Sequence, residues 1–204
     1  MRILFDLDGT LTEEESLPYI AHRSGVQAPE LSRMTLAAVS GNPEDYEEGL
    51  RRRLAMLRDV DIEAARRYVE EIPLRPLLLD FIIRHREVCG IVSSNLDCWW
   101  RGRLERELGC AVWLSEAEIV DGRVTGLRRL TDKKGIVESL RREGERVVYV
   151  GDGANDVSAA ESADIAVAVA FAGGRCRRLE EAAAYVARSE RWLAEFMTTL
   201  VRRT

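Results

Sequence analysis

From residue 77 onward the chain alternates between two kinds of stretch, and that alternation narrows its fold more than any other feature. Short β-favouring apolar runs at residues 88–92, 111–114, 146–150, 165–169 and 185–187 read as strands. Between them, residues 77–84, 97–108, 134–142, 154–161 and 179–183 read as helices. Residues 190–202 close the chain as an amphipathic helix, with Trp192, Leu193, Phe196, Met197 and Leu200 on one side. Residues 118–125 read as a β-hairpin on an Asp121-Gly122 turn. Adding the strand-like Arg2-Ile3-Leu4-Phe5, the expectation is an α/β, Rossmann-like parallel sheet with helices on both faces. Such sheets bind ligands at the carboxyl ends of their strands.

Residues 13–72 break the pattern, because they contain only helical stretches: 18–24, 29–39, 43–58 and 61–71. Ser40-Gly41-Asn42 closes the second stretch, and Asp61 caps the fourth. Pro73 and Pro76 mark the return to alternation. The expected organisation is a core of residues 1–12 and 73–204, with residues 13–72 inserted as a four-helix cap.

Three strand ends carry chemistry. The first gives Asp6 and Asp8, which start on one face of a strand before Gly9 turns the chain. The second gives Ser93-Ser94-Asn95, and the third gives Gly151-Asp152-Gly153-Ala154-Asn155-Asp156. Of 30 basic residues only two are lysines, Lys133 and Lys134, just ahead of the third strand. A lysine kept in so arginine-rich a chain suggests a site that needs a compact ammonium. Two carboxylates ~5 Å apart repel by roughly 3 kcal/mol at an effective dielectric of 20, so this cluster calls for a cation. Oxygen donors without His or Cys select a hard ion such as Mg²⁺, and that ion with a Lys and a hydroxyl suits a phosphoryl group.

Asp6-Leu7-Asp8-Gly9-Thr10-Leu11-Thr12, Ser93, Lys134 and the 151–156 run resemble, in order and spacing, the four motifs of the haloacid dehalogenase superfamily of phosphatases. Within it the resemblance is to the branch that hydrolyses phosphoserine, and it covers nearly the whole chain. It implies Asp6 as nucleophile and Asp8 as general acid and base. It implies Mg²⁺ on the carboxylates of Asp6 and Asp152 and on the backbone carbonyl of Asp8, with Asp156 holding metal-bound water. Ser93, Ser94, Asn155 and Lys134 would surround the phosphate. Lys134 is preferred because Gly135 follows it, as in the family's Lys-Gly pattern; Lys133 is the alternative. Glu15 would hold a substrate ammonium, against the alternative that Glu13, Glu14 and Glu15 form a solvated run. Arg53, sharing a helix side with Tyr46, Leu50 and Leu57, would hold a substrate carboxylate, against the alternative of an internal ion pair. Ser94-Asn95 departs from the family's usual Gly-Gly.

The expected function is Mg²⁺-dependent hydrolysis of phosphoserine or a similar small phosphorylated metabolite. The alternative is a phosphotransferase that uses another alcohol, such as homoserine, as acceptor. The net charge of −5 argues against nucleic acid, and no apolar run is long enough for a membrane span. Four cysteines without metal-type spacing, and a strand-like run directly after Met1, suit the cytoplasm.

Overall fold

A computed structural model describes residues 1–26, 29–41, 46–171 and 176–202. Seven strands form one sheet in the order β4-β3-β2-β1-β5-β6-β7. They are β1 (Arg2–Phe5), β2 (Cys89–Leu96), β3 (Ala111–Val120), β4 (Arg123–Arg129), β5 (Val147–Gly151), β6 (Ile165–Val169) and β7 (Tyr185–Ala187). All neighbouring pairs are parallel except β3 with β4. The central strand β1 lies between β2 and β5, so its last residues open onto the middle of the sheet edge. Its side chains alternate between two cores: Ile3 and Phe5 pack with Phe81, Trp100 and Leu193, while Leu4 packs with Val137, Val157 and Leu179.

The helices are α1 (Ser16–Arg23), α2 (Pro29–Ser40), α3 (Tyr46–Ala55), α4 (Ile62–Glu71), α5 (Pro76–Arg84), α6 (Asp97–Leu108), α7 (Lys133–Arg142), α8 (Val157–Ser162), α9 (Arg177–Ala182) and α10 (Glu190–Arg202). Several elements differ from the sequence expectation: β2 runs on to Leu96, past the expected end at residue 92, and α3 stops at Ala55 rather than at residue 58. β3 is one continuous strand. Its first half pairs parallel with β2 and its second half pairs antiparallel with β4, so the expected separate hairpin is an extension of the sheet. The helix expected at 154–161 begins as a 3₁₀ turn, Ala154–Asp156, before α8. The expected helix start at Pro43 and the stop at Asn42 lie outside the described residues.

α1 to α4 all fall between β1 and α5. The chain leaves and returns at one place: Thr12 pairs with Leu74 in an antiparallel bridge, and Arg75 N donates to Leu11 O at 2.8 Å. The helices also touch the sheet elsewhere. Ile62 N donates to Gly122 O at 2.9 Å, and Arg51 Nη1 donates to Leu127 O at 2.7 Å. Among the described residues no helix is long and apolar enough to cross a membrane.

Candidate active site

The site is built on the end of β1. Past Asp6, the Leu7 carbonyl accepts from the amides of Thr10, Leu11 and Thr12, which rolls the chain into a tight turn. Gly9 makes that turn possible in two ways. Its φ is +71°, and a Cβ there would stand 2.2 Å from Asp152 Oδ2. The turn from β1 therefore lies directly against the carboxylate at the end of β5.

Oxygens of Asp6, Asp152 and Asp156 all lie within 4.8 Å of one another, and all three residues are buried. Asp156 is saturated. Its Oδ1 accepts from Lys133 Nζ and from the Tyr149 hydroxyl, each at 2.6 Å, and its Oδ2 accepts from the amides of Asp152 and Gly153. Lys133 Nζ also donates to Asp6 Oδ1 at 2.8 Å.

This arrangement corrects the choice of lysine. Lys133 is buried between two aspartates, whereas Lys134 is on the outer face, 3.6 Å from Glu138. Asp132 caps α7 by accepting from Gly135 N at 2.8 Å, and a Cβ on residue 135 would stand 2.3 Å from Asp132 Oδ2. The glycine thus serves the cap and does not mark the residue before it as the inward lysine. The sequence did hold the signal: Lys133 is in helical register with Val137 and Leu140, and Lys134 with Glu138 and Arg141.

The Asp8 carboxylate stands apart from the buried cluster of three, as a residue that offers a metal only its backbone carbonyl would. The chain bends at Gly9, and Asp8 turns instead to the start of α1. There Ser16 N donates to Oδ2 at 2.9 Å and Ser16 Oγ donates to Oδ1 at 2.5 Å. Asn95 also reaches the Asp8 carboxylate. At the end of β2, Ser93 Oγ accepts from Asn95 N at 3.2 Å, and Asn155 Nδ2 donates to Ser94 Oγ at 3.3 Å. Ser93, Ser94, Asn95 and Asn155 all line one cavity with Asp6, Asp8 and Asp152.

Glu15, Tyr46 and Arg53 roof that cavity. Glu13 and Glu14 are exposed, but Glu15 turns inward, so the three do not act as one solvated run. Arg51 and Arg52 pair with Glu47 and Glu48 at the surface, while Arg53 is only 4% exposed. Its guanidinium lies 5.4 Å from the Tyr46 ring, and its Nη1 makes a long bond of 3.4 Å to Thr35 Oγ1. Its Nη2 is buried and has no hydrogen-bond partner among the described residues. The cavity holds about 40 Å³, room for roughly three water-sized spheres.

The electrostatics follow from this crowding. Burial lifts Asp6 to about 7 against the pull of Lys133. Burial, with Asp6 and Glu15 adding to it, holds Asp152 well above the usual carboxylate range. Burial and the neighbouring Asp8 and Asp6 push Glu15 up to about 8. Burial opposes the charge on Lys133, but Asp156 and Asp6 together outweigh it and raise its pKa. Five acids thus share the site with Lys133 and Arg53. The donors are all oxygens, and Asp156 is already fully bonded, so Asp6 and Asp152 fit a hard divalent cation.

Residues 3–161 match the model of the haloacid dehalogenase-like hydrolase family. A phosphoserine phosphatase from Archaeoglobus fulgidus is 33% identical, covering 81% of this chain and 51% of that protein. One from Methanocaldococcus jannaschii is 31% identical, covering 81% and 83%. The chain therefore spans about half the length of the first relative and most of the second. A solved structure described as a phospho-aspartyl intermediate analogue of phosphoserine phosphatase superposes with a TM-score of 0.81 at 27% identity, covering 95% of this chain and 97% of that one.

Proposed function

The chain belongs to the haloacid dehalogenase-like hydrolases, and we propose that it hydrolyses phosphoserine in the cytoplasm, with Mg²⁺, through an aspartyl-phosphate on Asp6. The observation that carries the substrate is the buried, unpartnered Nη2 of Arg53 in the roof of a cavity floored by Asp6. A buried guanidinium short of a partner is costly until an anion supplies one. The carboxylate of phosphoserine is such an anion, and Glu15, beside it, takes the ammonium. The named activity of the relatives supports the same reading.

In this mechanism Asp6 attacks phosphorus in line with the departing serine oxygen. Lys133, bonded to Asp6 Oδ1, holds the nucleophile and offsets charge on the phosphoryl oxygens. The Ser93 hydroxyl accepts from Asn95, which leaves its own hydrogen to donate to phosphate, with Asn155 and Ser94 beside it. Asp8 gives its proton to the serine oxygen and then takes one from water. Asp6, Asp152 and the Asp8 backbone carbonyl would hold Mg²⁺, which supplies charge neutralisation. Residues 13–72 act as a lid over the core of residues 1–12 and 73–204, because the cavity must open to admit an amino-acid phosphate.

Release of inorganic phosphate from O-phospho-L-serine, measured with Mg²⁺ against a panel of other phosphomonoesters, tests the reading. Phosphoserine should have the highest kcat/KM, and a chelator should abolish turnover. Hydrolysis of aryl phosphates with phosphoserine untouched would overturn it.

A further inference from the structure

Asp8 is itself held in place by a chain of hydrogen bonds that reaches into α6. Trp100, on α6, is fully buried, and its indole N–H donates to Ser16 Oγ at 3.1 Å. An indole nitrogen can only donate. The Ser16 hydroxyl has one hydrogen, and accepting from Trp100 leaves that hydrogen for Asp8 Oδ1, 2.5 Å away. The Ser16 amide takes the other oxygen at 2.9 Å. Two donors from Ser16, one to each oxygen, set the plane of the carboxylate, with Asn95 as a further contact. Glu15, which precedes α1, makes no side-chain cap bond, so Asp8 serves as the cap from outside the helix.

The far end of this strut is well anchored. One turn along α6, the Arg103 guanidinium lies 5.4 Å from the Trp100 ring. Arg103 Nη1 donates to the carbonyls of Val69 and Ile72, at the end of α4. α6 therefore grips both places where the helical segment joins the sheet: Ser16 on the way out and Ile72 on the way back.

We propose that Trp100 and Ser16 are positioning residues that aim the Asp8 carboxylate at the leaving-group oxygen, so that substrates needing a proton on departure depend on them. This rests on the reading of Asp8 as the acid. Freed of the strut, Asp8 can rotate about its side-chain bonds, and proton delivery slows while the attack by Asp6 is untouched.

The test compares O-phosphoserine with p-nitrophenyl phosphate, whose aryl leaving group departs without a proton. The ratio kcat/KM reports only steps through release of the alcohol, so it isolates this half of the reaction. Trp100→Phe keeps the ring and removes the donor. It should lower kcat/KM for phosphoserine about tenfold, a fraction of the ~10²–10⁴ that an acid supplies. KM should stay within about twofold, and the aryl phosphate should be nearly unaffected. Ser16→Ala should lose more on phosphoserine, and Ser16→Thr, which keeps the hydroxyl, should recover most of it. Equal losses on both substrates, or Ser16→Thr as impaired as Ser16→Ala, would overturn the inference. Asp8→Asn separates the two levels. If it too fails to discriminate between the substrates, the acid role itself is wrong; if it discriminates and the Trp100 and Ser16 variants do not, only the strut is wrong.

Discussion

The floor and the roof of the cavity are built on different terms. The floor, Asp6 and Asp152 with Asp156 and Lys133 behind them, stands at the ends of β1 and β5 and on α7, and its hydrogen bonds are made within the protein: Asp156 alone accepts four. The roof, Glu15, Tyr46 and Arg53, stands on the helical segment and is left unfinished, with one buried guanidinium nitrogen unpaired. A floor of this kind is organised before substrate arrives, as chemistry requires. The roof keeps a donor that, on the proposed reading, a ligand would fill, as discrimination requires.

Four expectations test that difference, in falling order of effect. Asp6→Asn keeps the shape of the floor and removes the nucleophile, so turnover should fall at least ~10³-fold on every substrate. Retained turnover in a phosphate-release assay would break the assignment.

Lys133→Met should cost ~10²-fold in kcat for all substrates and also lower the melting temperature, because two buried carboxylates lose their cation. Lys134→Met should stay within about twofold in both measurements, since an exposed ion pair contributes little. A larger effect at 134 than at 133 would reverse the placement of the lysines.

Arg53→Ala should act on the roof alone. Each charge-assisted bond contributes roughly 1.5–3 kcal/mol, so kcat/KM for phosphoserine should fall about 10- to 100-fold. A small aryl phosphate should be hydrolysed almost as before. Equal losses would make Arg53 a packing residue of the helical segment.

The smallest effect concerns pH. Asp6, Asp152 and Glu15 have raised pKa values in the fold, so the folded protein binds more protons than the unfolded chain above the ordinary carboxylate range. Stability of the metal-free protein should therefore fall as pH rises from about 5 to 8. Calorimetry should show a melting temperature at least ~3 °C lower at the upper end, the shift of about 1 kcal/mol. Mg²⁺ should flatten the slope, and an identical slope with and without Mg²⁺ would argue against a cation on the floor.

The floor was more legible in the sequence than the roof, and the reason is geometric. Period-two runs end where strands end, so Asp6, Ser93 and Asp152 could be set on one sheet edge from spacing alone. Where the chain turns, that reasoning weakens. Alternation and the turn at Gly9 bring Asp6 and Asp8 to one cavity, but no spacing tells that Asp8 is held by Ser16. Which lysine faces the aspartates follows helical register and not the Lys-Gly pattern, so Lys133 is inward and Lys134 outward. The Trp100–Ser16 contact spans 84 positions and follows no period, so nothing in the spacing could announce it. On the helical segment, the seven-residue interval from Tyr46 to Arg53 was readable and places both over the cavity. The vertical distance from those residues to the floor depends on packing that no local pattern encodes.

The bridge between Thr12 and Leu74 has a consequence for chain entropy. A segment whose two ends already meet is a closed loop as far as the sheet is concerned. Closing such a loop costs only ~0.6 kcal/mol more for each doubling of its length. In loop-closure terms alone, the length of what lies between those two residues matters little, even though Ser16, Arg51 and Ile62 tie the segment to the core elsewhere. A change of length between its two ends would add little to the entropic cost of holding the buried acids beneath in register.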